Sequence, residues 1–283
     1  MVIQHNIAAI DSYRNMSKNT TALNKNLEKL SSGYKINKAG DDAAGLAISE
    51  SMRNKINALD QAEANANDAI GLIQTAEGAL TETHAMLERM TTLATQAANG
   101  TYASVGNTEK GSETARKNIN LELDELKREI NRIATSTEYN GIKILDNVTE
   151  RTFQIGASKD ETMSLNGQIM KTSALGSTAG KVSSISANTV KQANDAIEIL
   201  KGAVDQVSEF RASLGAKQNR LEHTINNLKV NNENTTSAES RIRDTDMAKE
   251  ISAYTKNNIL NQAAQSMLAQ ANQSPQGVLS LLG

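Results

Sequence analysis

The chain has 283 residues, with one proline, no cysteine and no tryptophan, and only 2% of its residues are aromatic. Aromatic side chains supply much of the buried area of compact cores, so this composition argues against a large spherical core. The absence of cysteine excludes a disulfide scaffold and a cysteine nucleophile. A net charge of −2, without a long block of one sign, argues against a nucleic-acid binder, which would need a basic surface.

The sequence contains no apolar run near the ~18 residues that a membrane-spanning helix needs. Residues 1–6 have neither the basic region nor the apolar stretch of a signal peptide. We therefore expect a soluble protein that does not use the general secretory route.

The first 34 residues have an amphipathic pattern. Apolar residues recur at helical spacing at Ile3, Ile7, Ile10, Tyr13, Met16, Leu23, Leu27, Leu30 and Tyr34. The pattern predicts a helix that needs a packing partner, because a lone amphipathic helix is only marginally stable in water.

A longer pattern occupies residues 45–97. Apolar or small residues recur at alternating steps of three and four, at Leu59, Ala62, Ala66, Ala69, Ile73, Ala76, Leu80, Thr83, Leu87, Met90, Ala94 and Ala97. This 3.5-residue repeat is typical of helices that pack side by side as coiled coils, and it predicts about 80 Å of helix. Gly71 and Gly78 each cost ~1 kcal/mol relative to alanine, so we expect a bend or break before Ile73.

Two later stretches share the repeat. The shorter comprises Ile119, Leu123, Leu126, Ile130 and Ile133, and the longer comprises Val190, Ala193, Ile197, Leu200, Val204, Val207, Leu214, Leu221, Ile225 and Leu228. A compact globule of this length would be only about 50 Å across, too small for the long helix. The sequence therefore predicts a mainly α fold, a long antiparallel helical-bundle rod.

Residues 139–189 differ from the helical stretches. Tyr139-Asn140-Gly141 is a turn signal. Apolar residues then alternate with polar ones at Ile142, Ile144, Phe153 and Ile155. We interpret this alternation as a small β-hairpin that turns at Asp146-Asn147. Residues 172–189, rich in serine, threonine, glycine and alanine, are expected to form an exposed tip.

The C-terminal region carries a second amphipathic stripe. It comprises Ile251, Tyr254, Leu260, Ala264, Met267 and Ala271, and an apolar end follows at Val278, Leu279, Leu281 and Leu282. We expect the two terminal stripes to form a coiled-coil helix pair or to pack against another subunit.

Five segments, in this order, resemble bacterial flagellin, the filament subunit of the flagellum. They are residues 1–6 (MVIQHN), 27–37 (LEKLSSGYKIN), 41–48 (DDAAGLAI), 137–141 (TEYNG) and 268–282 (LAQANQSPQGVLSLL). Any one alone would be a weak signal, but five in the same order along the chain indicate the family strongly.

The resemblance implies a terminal-helix domain that lines the filament core, from residues 1–42 and 245–283. It also implies a second helical domain around that core, with halves at 43–171, which include the hairpin, and 190–244. Only 172–189 remain for the variable outer region of the family, so the chain resembles a minimal flagellin.

The family resemblance also implies function and partners. The chain is expected to polymerise with itself into the filament used for motility, after secretion through the flagellar type III apparatus. A flagellar export chaperone, a cap protein and hook-associated proteins are implied as partners, with neither a nucleic acid nor a membrane among them. The polymerisation core is expected at Ile3, Ile7, Leu23, Leu27, Leu30, Leu260, Met267, Val278, Leu281 and Leu282.

Residues 87–100 resemble the flagellin stretch recognised by the innate receptor Toll-like receptor 5. Arg89 and Leu93 match the contact positions, and Glu122 is the match on the adjacent helix. Relatives that activate the receptor usually carry a charged pair directly after Arg89, where this chain has Met90-Thr91-Thr92. In the alternative interpretation, Arg89 and Glu122 are solvated charges worth less than ~1 kcal/mol to stability.

The sequence carries no catalytic, cofactor-binding or metal-binding pattern, so we expect no enzyme. His5, His84 and His223 are scattered, without metal-ligand spacing, and no nucleophile elbow or phosphate-binding loop occurs. Asp41-Asp42 is interpreted as acidic charge in the first turn of a helix, where the helix dipole favours it.

The sequence has three other interpretations. A hook–filament junction protein would share flagellin-like ends, but would form a short collar. A flagellin-derived protease would need a zinc-binding His-Glu-x-x-His, which the sequence lacks. A coiled-coil adaptor unrelated to motility would require the terminal resemblance to be accidental.

Overall fold

The computed structural model describes residues 6–100 and 110–282, without the side chains of residues 110–114 and 275–282. The chain divides into two compact units. One comprises residues 1–57 and 232–283, and the other comprises residues 58–231.

Long helices dominate the described residues. The elements are α1 (Ile7–Ser32), α2 (Ala43–Ala98), α3 (Lys110–Ser136), β1 (Glu150–Gln154), β2 (Thr162–Asn166), β3 (Gly176–Ser177), β4 (Gly180–Lys181), a 3₁₀ turn (Val182–Ser184), α4 (Val190–Arg243) and α5 (Met247–Leu282). The predicted fold class, mainly α with a small antiparallel hairpin, is confirmed.

In the unit of residues 58–231, α3 and α4 both pack antiparallel to α2. Polar contacts across the two interfaces give the direction: Glu63 with Lys229 (3.5 Å), Glu77 with Arg211 (3.7 Å), Arg89 with Glu122 (2.8 Å) and Arg116 Nε with the Ala97 carbonyl (3.4 Å). The partners on α4 and on α3 come in reverse order as one moves forward along α2, so both helices run opposite to it.

The core of this unit follows the predicted repeat on α2. Every position of the repeat from Leu59 to Ala97 is buried, with at most 4% of its surface exposed. Thr83 is the polar member, and its hydroxyl donates to the Ala79 carbonyl at 3.0 Å, so its burial leaves the hydroxyl paired.

We expected a bend or a break before Ile73, and helix α2 runs without a break from Ala43 to Ala98. Gly71 has a packing role instead, because a β-carbon there would lie 3.2 Å from Tyr139 Oη. Gly78 has no such neighbour within 4 Å. The surrounding buried contacts are sufficient to keep both glycines helical.

The β-hairpin exists, but its predicted pairing is wrong. Strand β1 pairs antiparallel with β2, and Phe153 lies opposite Met163. The connection therefore spans residues 155–161 and not Asp146-Asn147. In β2, Met163 and Leu165 are buried and alternate with more exposed residues, which gives the hairpin its apolar face.

The predicted turn at Tyr139-Asn140-Gly141 is confirmed. Tyr139 and Ile142 exchange both backbone hydrogen bonds, at 3.0 and 2.9 Å. Asn140 and Gly141 have φ of 50° and 74°, the left-handed conformations that a tight two-residue turn requires.

Residues 172–189 are more buried than the prediction of an exposed tip implies. Five of their side chains are at most 4% exposed: Thr172, Leu175, Val182, Ile185 and Ala187. Backbone bonds fold the segment on itself, with Val182 N donating to the Leu175 carbonyl and Ser183 N to the Thr172 carbonyl, both at 3.0 Å. The segment is polar in overall composition, but its few apolar side chains pack into the core.

Candidate assembly surface

Helices α1 and α5 pack against each other within the unit of residues 1–57 and 232–283. Asn6 Oδ1 caps the start of α1 by accepting from Ala9 N at 3.1 Å, and Gly33, with φ of 76°, caps its end. Asp246 Oδ1 caps α5 by accepting from Ala248 N at 3.0 Å. These caps pair backbone groups that a helix end leaves open.

Polar side chains take part in the contact between α1 and α5. Hydrogen bonds join the two helices at three levels. Asn6 Nδ2 donates to the Ala271 carbonyl (2.7 Å), and Asn261 Nδ2 donates to Thr20 Oγ1 (3.0 Å). Asn26 Nδ2 donates to Glu250 Oε1 (3.0 Å) when the Asn26 side-chain amide is rotated by 180°, the orientation that satisfies both its oxygen and its nitrogen. The three levels run in opposite directions along the two helices, so the helices are antiparallel. No residue of α1 is buried, and the pair therefore buries little apolar surface by itself.

The large apolar side chains of this helix pair lie mostly outside the contact. Nine of the thirteen exposed large apolar side chains in the described part of the chain are on α1 or α5: Ile7, Ile10, Tyr13, Leu27, Met247, Ile251, Ile259, Leu260 and Met267. Each is between 41 and 65% exposed. Exposed apolar surface concentrated in this way is typical of protein–protein contact sites.

The predicted polymerisation residues fall into three groups. Ile7, Leu27, Leu260 and Met267 are exposed, and Leu23 and Leu30 are partly buried. Ile3 and the side chains of Val278, Leu281 and Leu282 lie outside the described residues. The sequence-based set omitted Ile10, Tyr13, Ile251 and Ile259, although the first three belong to the amphipathic stripes on which the prediction rested.

The predicted receptor contacts differ in exposure. Arg89 donates from Nε and from its terminal nitrogen to Glu122 Oε1, both at 2.8 Å, and the side chains are 54 and 43% exposed. Leu93 is only 2% exposed and belongs to the core. The Arg89–Glu122 ion pair therefore lies at the surface, whereas Leu93 is buried.

Asp41 and Asp42 hold the backbone before α2. Asp42 Oδ1 accepts from Gly45 N at 2.9 Å, so Asp42 caps the start of α2. The sequence had suggested a place within the first turn of the helix, and Asp42 lies just before it. Asp41 Oδ2 accepts from Lys38 N at 3.1 Å and Asn37 N at 3.3 Å. These backbone donors, Lys38 first, lower the pKa of the Asp41 carboxyl.

The histidines give no metal site in the described part of the chain. His84 Nε2 lies 3.3 Å from Glu88 Oε1, one turn along α2. Among the side chains that the structure describes, no group of three or more histidine, aspartate and glutamate residues is placed to hold a metal ion. Over the same residues, no helix has the length and apolar character needed to span a membrane.

Comparison with protein families identifies both ends of the chain. Residues 3–150 match the bacterial flagellin N-terminal helical region, and residues 197–282 match the bacterial flagellin C-terminal helical region. Together these matches cover well over half of the chain, including α1 and α5.

Full-length relatives and solved structures agree with this result. The chain is 48% identical over 310 residues to the flagellin of Bacillus subtilis and 49% identical over 283 residues to that of Halalkalibacterium halodurans, with 100% of each chain covered. A candidate flagellar hook-associated protein from Vibrio parahaemolyticus is similar in structure (TM-score 0.59, 12% identity, 72% of this chain and 100% of that chain covered). At that identity the likeness shows the fold alone and gives no support to the junction alternative. The chain belongs to the bacterial flagellins, the structural, non-enzymatic proteins that polymerise into the flagellar filament.

Proposed function

We propose that this subunit polymerises through the outward apolar side chains of α1 and α5, which act as the terminal-helix domain of residues 1–42 and 245–283. The observation that carries the proposal is the concentration on these two helices of nine large apolar side chains that are 41 to 65% exposed. Burial of one isoleucine side chain contributes about 1.5–3 kcal/mol. In a single chain that contribution is largely unrealised, and a second copy would supply it.

The hydrogen bonds between α1 and α5 support the same proposal. Bonds such as Asn261 Nδ2 to Thr20 Oγ1 help to hold the two helices together, and the nine exposed apolar side chains take no part in them. The aliphatic residues then remain available on other faces of the pair. A filament needs different surfaces of each subunit to meet, so that the contacts repeat without closing into a ring.

A charge placed on the proposed surface tests it. We expect Ile259→Glu to raise the critical concentration for seeded polymerisation about 10-fold or more, because an ionised side chain would be buried against the next copy. Val230→Glu is the matched control, since Val230 is also exposed (56%, against 61% for Ile259) but lies on α4. Sedimentation and electron microscopy of seeded samples measure both. Normal polymerisation of Ile259→Glu would contradict the proposal.

We infer that the exposed face of α5 is covered before assembly. An export chaperone that binds this face, as the family resemblance implies, would prevent premature polymerisation in the cell. Secretion through the flagellar type III apparatus would then deliver the chain to the filament, which lies outside the cell in this family. The cap and hook-associated proteins would meet the same terminal helices at the two filament ends.

We propose further that Toll-like receptor 5 binds the Arg89–Glu122 surface without direct contact from Leu93. The guanidinium and carboxylate are about half exposed, whereas Leu93 is 2% exposed. Arg89→Ala should weaken receptor signalling and change stability by less than ~1 kcal/mol. Leu93→Ala should lower the free energy of unfolding by about 2–5 kcal/mol.

A receptor-reporter assay with folded protein, paired with urea unfolding, separates the two effects. If folded Leu93→Ala lost signalling as strongly as Arg89→Ala, the leucine would have to reach the receptor and the proposal would be wrong.

A further inference from the structure

The β1–β2 hairpin is a sheet of two strands, so each strand has one edge that no other strand covers. Just beyond the strands, Ile155 N donates to the Glu161 carbonyl at 3.0 Å. Hydrogen-bonded positions alternate along antiparallel strands, and the register places odd-numbered residues of β1 opposite odd-numbered residues of β2. The odd-numbered residues therefore bond within the hairpin, and even-numbered residues such as Gln154 and Ser164 direct their backbone groups outward.

Helix α2 covers the edge of β1 at Gln154. Asn65 Nδ2 donates to the Gln154 carbonyl at 3.0 Å, and Asn65 Oδ1 accepts from Gln61 Nε2, one turn earlier on α2, also at 3.0 Å. Both ends of the Asn65 amide are therefore paired, which fixes the orientation of the side chain. Asn65 thereby ties the outward edge of β1 to α2.

Helix α4 covers the edge of β2 at Ser164. Lys217 Nζ donates to the Ser164 carbonyl at 2.5 Å, and the Lys217 side chain is partly buried. A charged donor makes a stronger bond to a carbonyl than a neutral donor does. We call Asn65 and Lys217 the edge clamp. One helix thus holds each edge of the hairpin, and all of these residues belong to the unit of residues 58–231.

One face of the hairpin packs into the core of the same unit. Ile155, Met163 and Leu165 are at most 8% exposed and belong to that core. A hairpin that left its place would expose this apolar face together with both strand edges. Such a surface is a template for pairing with a strand of another chain, because backbone N–H and C=O groups and apolar side chains are presented in one row. The edge clamp lies at the two edges where that pairing would begin.

We propose that Asn65 and Lys217 are positioning residues that prevent copies of this chain from associating through their hairpin strands. Each side chain holds an outward carbonyl of one edge and so keeps the hairpin against α2 or α4. Association between copies is then left to surfaces that contain no open strand. The inference does not depend on the proposed assembly surface, because no residue of α1 or α5 takes part in it.

Two substitutions in the full-length chain remove one bond each. Asn65→Asp keeps the shape of the side chain and the acceptor for Gln61, but turns a carboxylate oxygen toward the Gln154 carbonyl. Lys217→Met keeps most of the side-chain length and removes the donor. We expect amide hydrogen exchange of the paired hairpin residues, such as Phe153, to become about 10-fold faster in either variant, because the hairpin opens more often.

Matched controls change the same residue types on the same helices. Asn67→Asp and Lys201→Met alter exposed side chains, on α2 and α4 respectively, and should leave the exchange rates within about 2-fold. Lys217→Arg keeps a charged donor and should stay within about 3-fold of the unmodified chain. If it behaved as Lys217→Met does, the bond to Ser164 would not be the cause and the clamp would be overturned.

Thioflavin T fluorescence and X-ray fibre diffraction measure association through strands. In unseeded solution, Asn65→Asp and Lys217→Met should aggregate at least about 5-fold sooner than the unmodified chain, and the aggregates should give the strand-spacing reflection at about 4.7 Å. The control variants should form no such aggregates over the same period. A polymer held together by helices lacks this reflection, so the two kinds of association are distinguished.

Three results would overturn the proposal. Unchanged exchange in Asn65→Asp and Lys217→Met would show that the two bonds do not hold the hairpin. Faster exchange without strand-paired aggregates would remove the protective role. Equal acceleration of exchange at Leu87, in the core face of α2, would show a global loss of stability, and the two residues would then not be positioning residues.

Discussion

Asp41 illustrates how one exposed carboxylate stabilises a connecting segment. Its Oδ2 accepts two backbone hydrogen bonds, from Lys38 N and Asn37 N, and these lower its pKa from the ordinary value of 3.8. Because the folded-state pKa is the lower one, the unfolded chain binds more protons in acid. The stabilisation is therefore complete above the unfolded-state pKa and is lost as the pH falls through the folded-state pKa.

Asp41→Asn should accordingly be less stable than the unmodified chain at pH 7, and the difference should shrink as the pH falls below about 4. Urea unfolding midpoints measured from pH 7 to pH 2.5 check this expectation. Asp195→Asn, which changes an exposed carboxylate on α4, is the control and should show a smaller difference at pH 7. A difference between Asp41→Asn and the unmodified chain that grows in acid would contradict the argument.

The two glycines inside α2 offer a matched pair of substitutions. At Gly78 a β-carbon would meet nothing within 4 Å, so Gly78→Ala should raise the free energy of unfolding by about 1 kcal/mol through helix propensity. At Gly71 a β-carbon would lie 3.2 Å from Tyr139 Oη. Gly71→Ala should stabilise less or should destabilise, because the Tyr139 ring must move. Equal gains in urea midpoint for the two variants would show that the ring contact carries no cost.

At the scale of whole elements, the long helices were predictable because their signal is local. A 3.5-residue repeat predicts which face of a helix is buried before the partner is known. Each of the twelve repeat positions from Leu59 to Ala97 is buried. The helix has no break before Ile73, since the cost of a glycine is small beside the packing that surrounds it. Tyr139, the residue that uses the space beside Gly71, lies 68 positions later in the sequence.

The hairpin was only half predictable, because strand pairing depends on a partner. Alternation correctly marked Phe153, but Ile142 and Ile144 show the same alternation without forming a strand. The true partner β2 carries Met163 and Leu165 in alternation, a signal that was present in the sequence. The nearer turn signal at Asp146-Asn147 favoured the wrong partner.

The assembly surface shows the same limit. The terminal stripes named Ile7, Leu27, Leu260 and Met267, which are exposed as a contact surface requires. Which face of each helix is used within the chain could not be read from the stripes alone, because asparagine and threonine side chains also contribute hydrogen bonds to that contact. The ion pair of Arg243 with Glu50 had no sequence signal at all, since the two residues are 193 positions apart.

For the whole molecule, the two family matches leave a gap that coincides with the strands. The N-terminal match ends at residue 150 and the C-terminal match begins at residue 197. The intervening segment holds β1 to β4 and the buried Val182. The family resemblance implies the variable outer region at 172–189, and we propose that the short β3–β4 connection within it is where a larger domain could be attached.

The tip of that connection should therefore accept an insertion. Thr178 and Ala179 join β3 to β4 and are both exposed. A flexible insertion of about 15 residues between them should leave the critical concentration for polymerisation within about 2-fold, because closing a loop costs little extra as it lengthens. The same insertion after Val182 is the control. Val182 is fully buried and donates to the Leu175 carbonyl at 3.0 Å, so that variant should have a lower urea midpoint. If the insertion at Thr178 lowered the urea midpoint equally, the segment would be a structural part of the core along its whole length, and its assignment as the place of the outer region would be wrong.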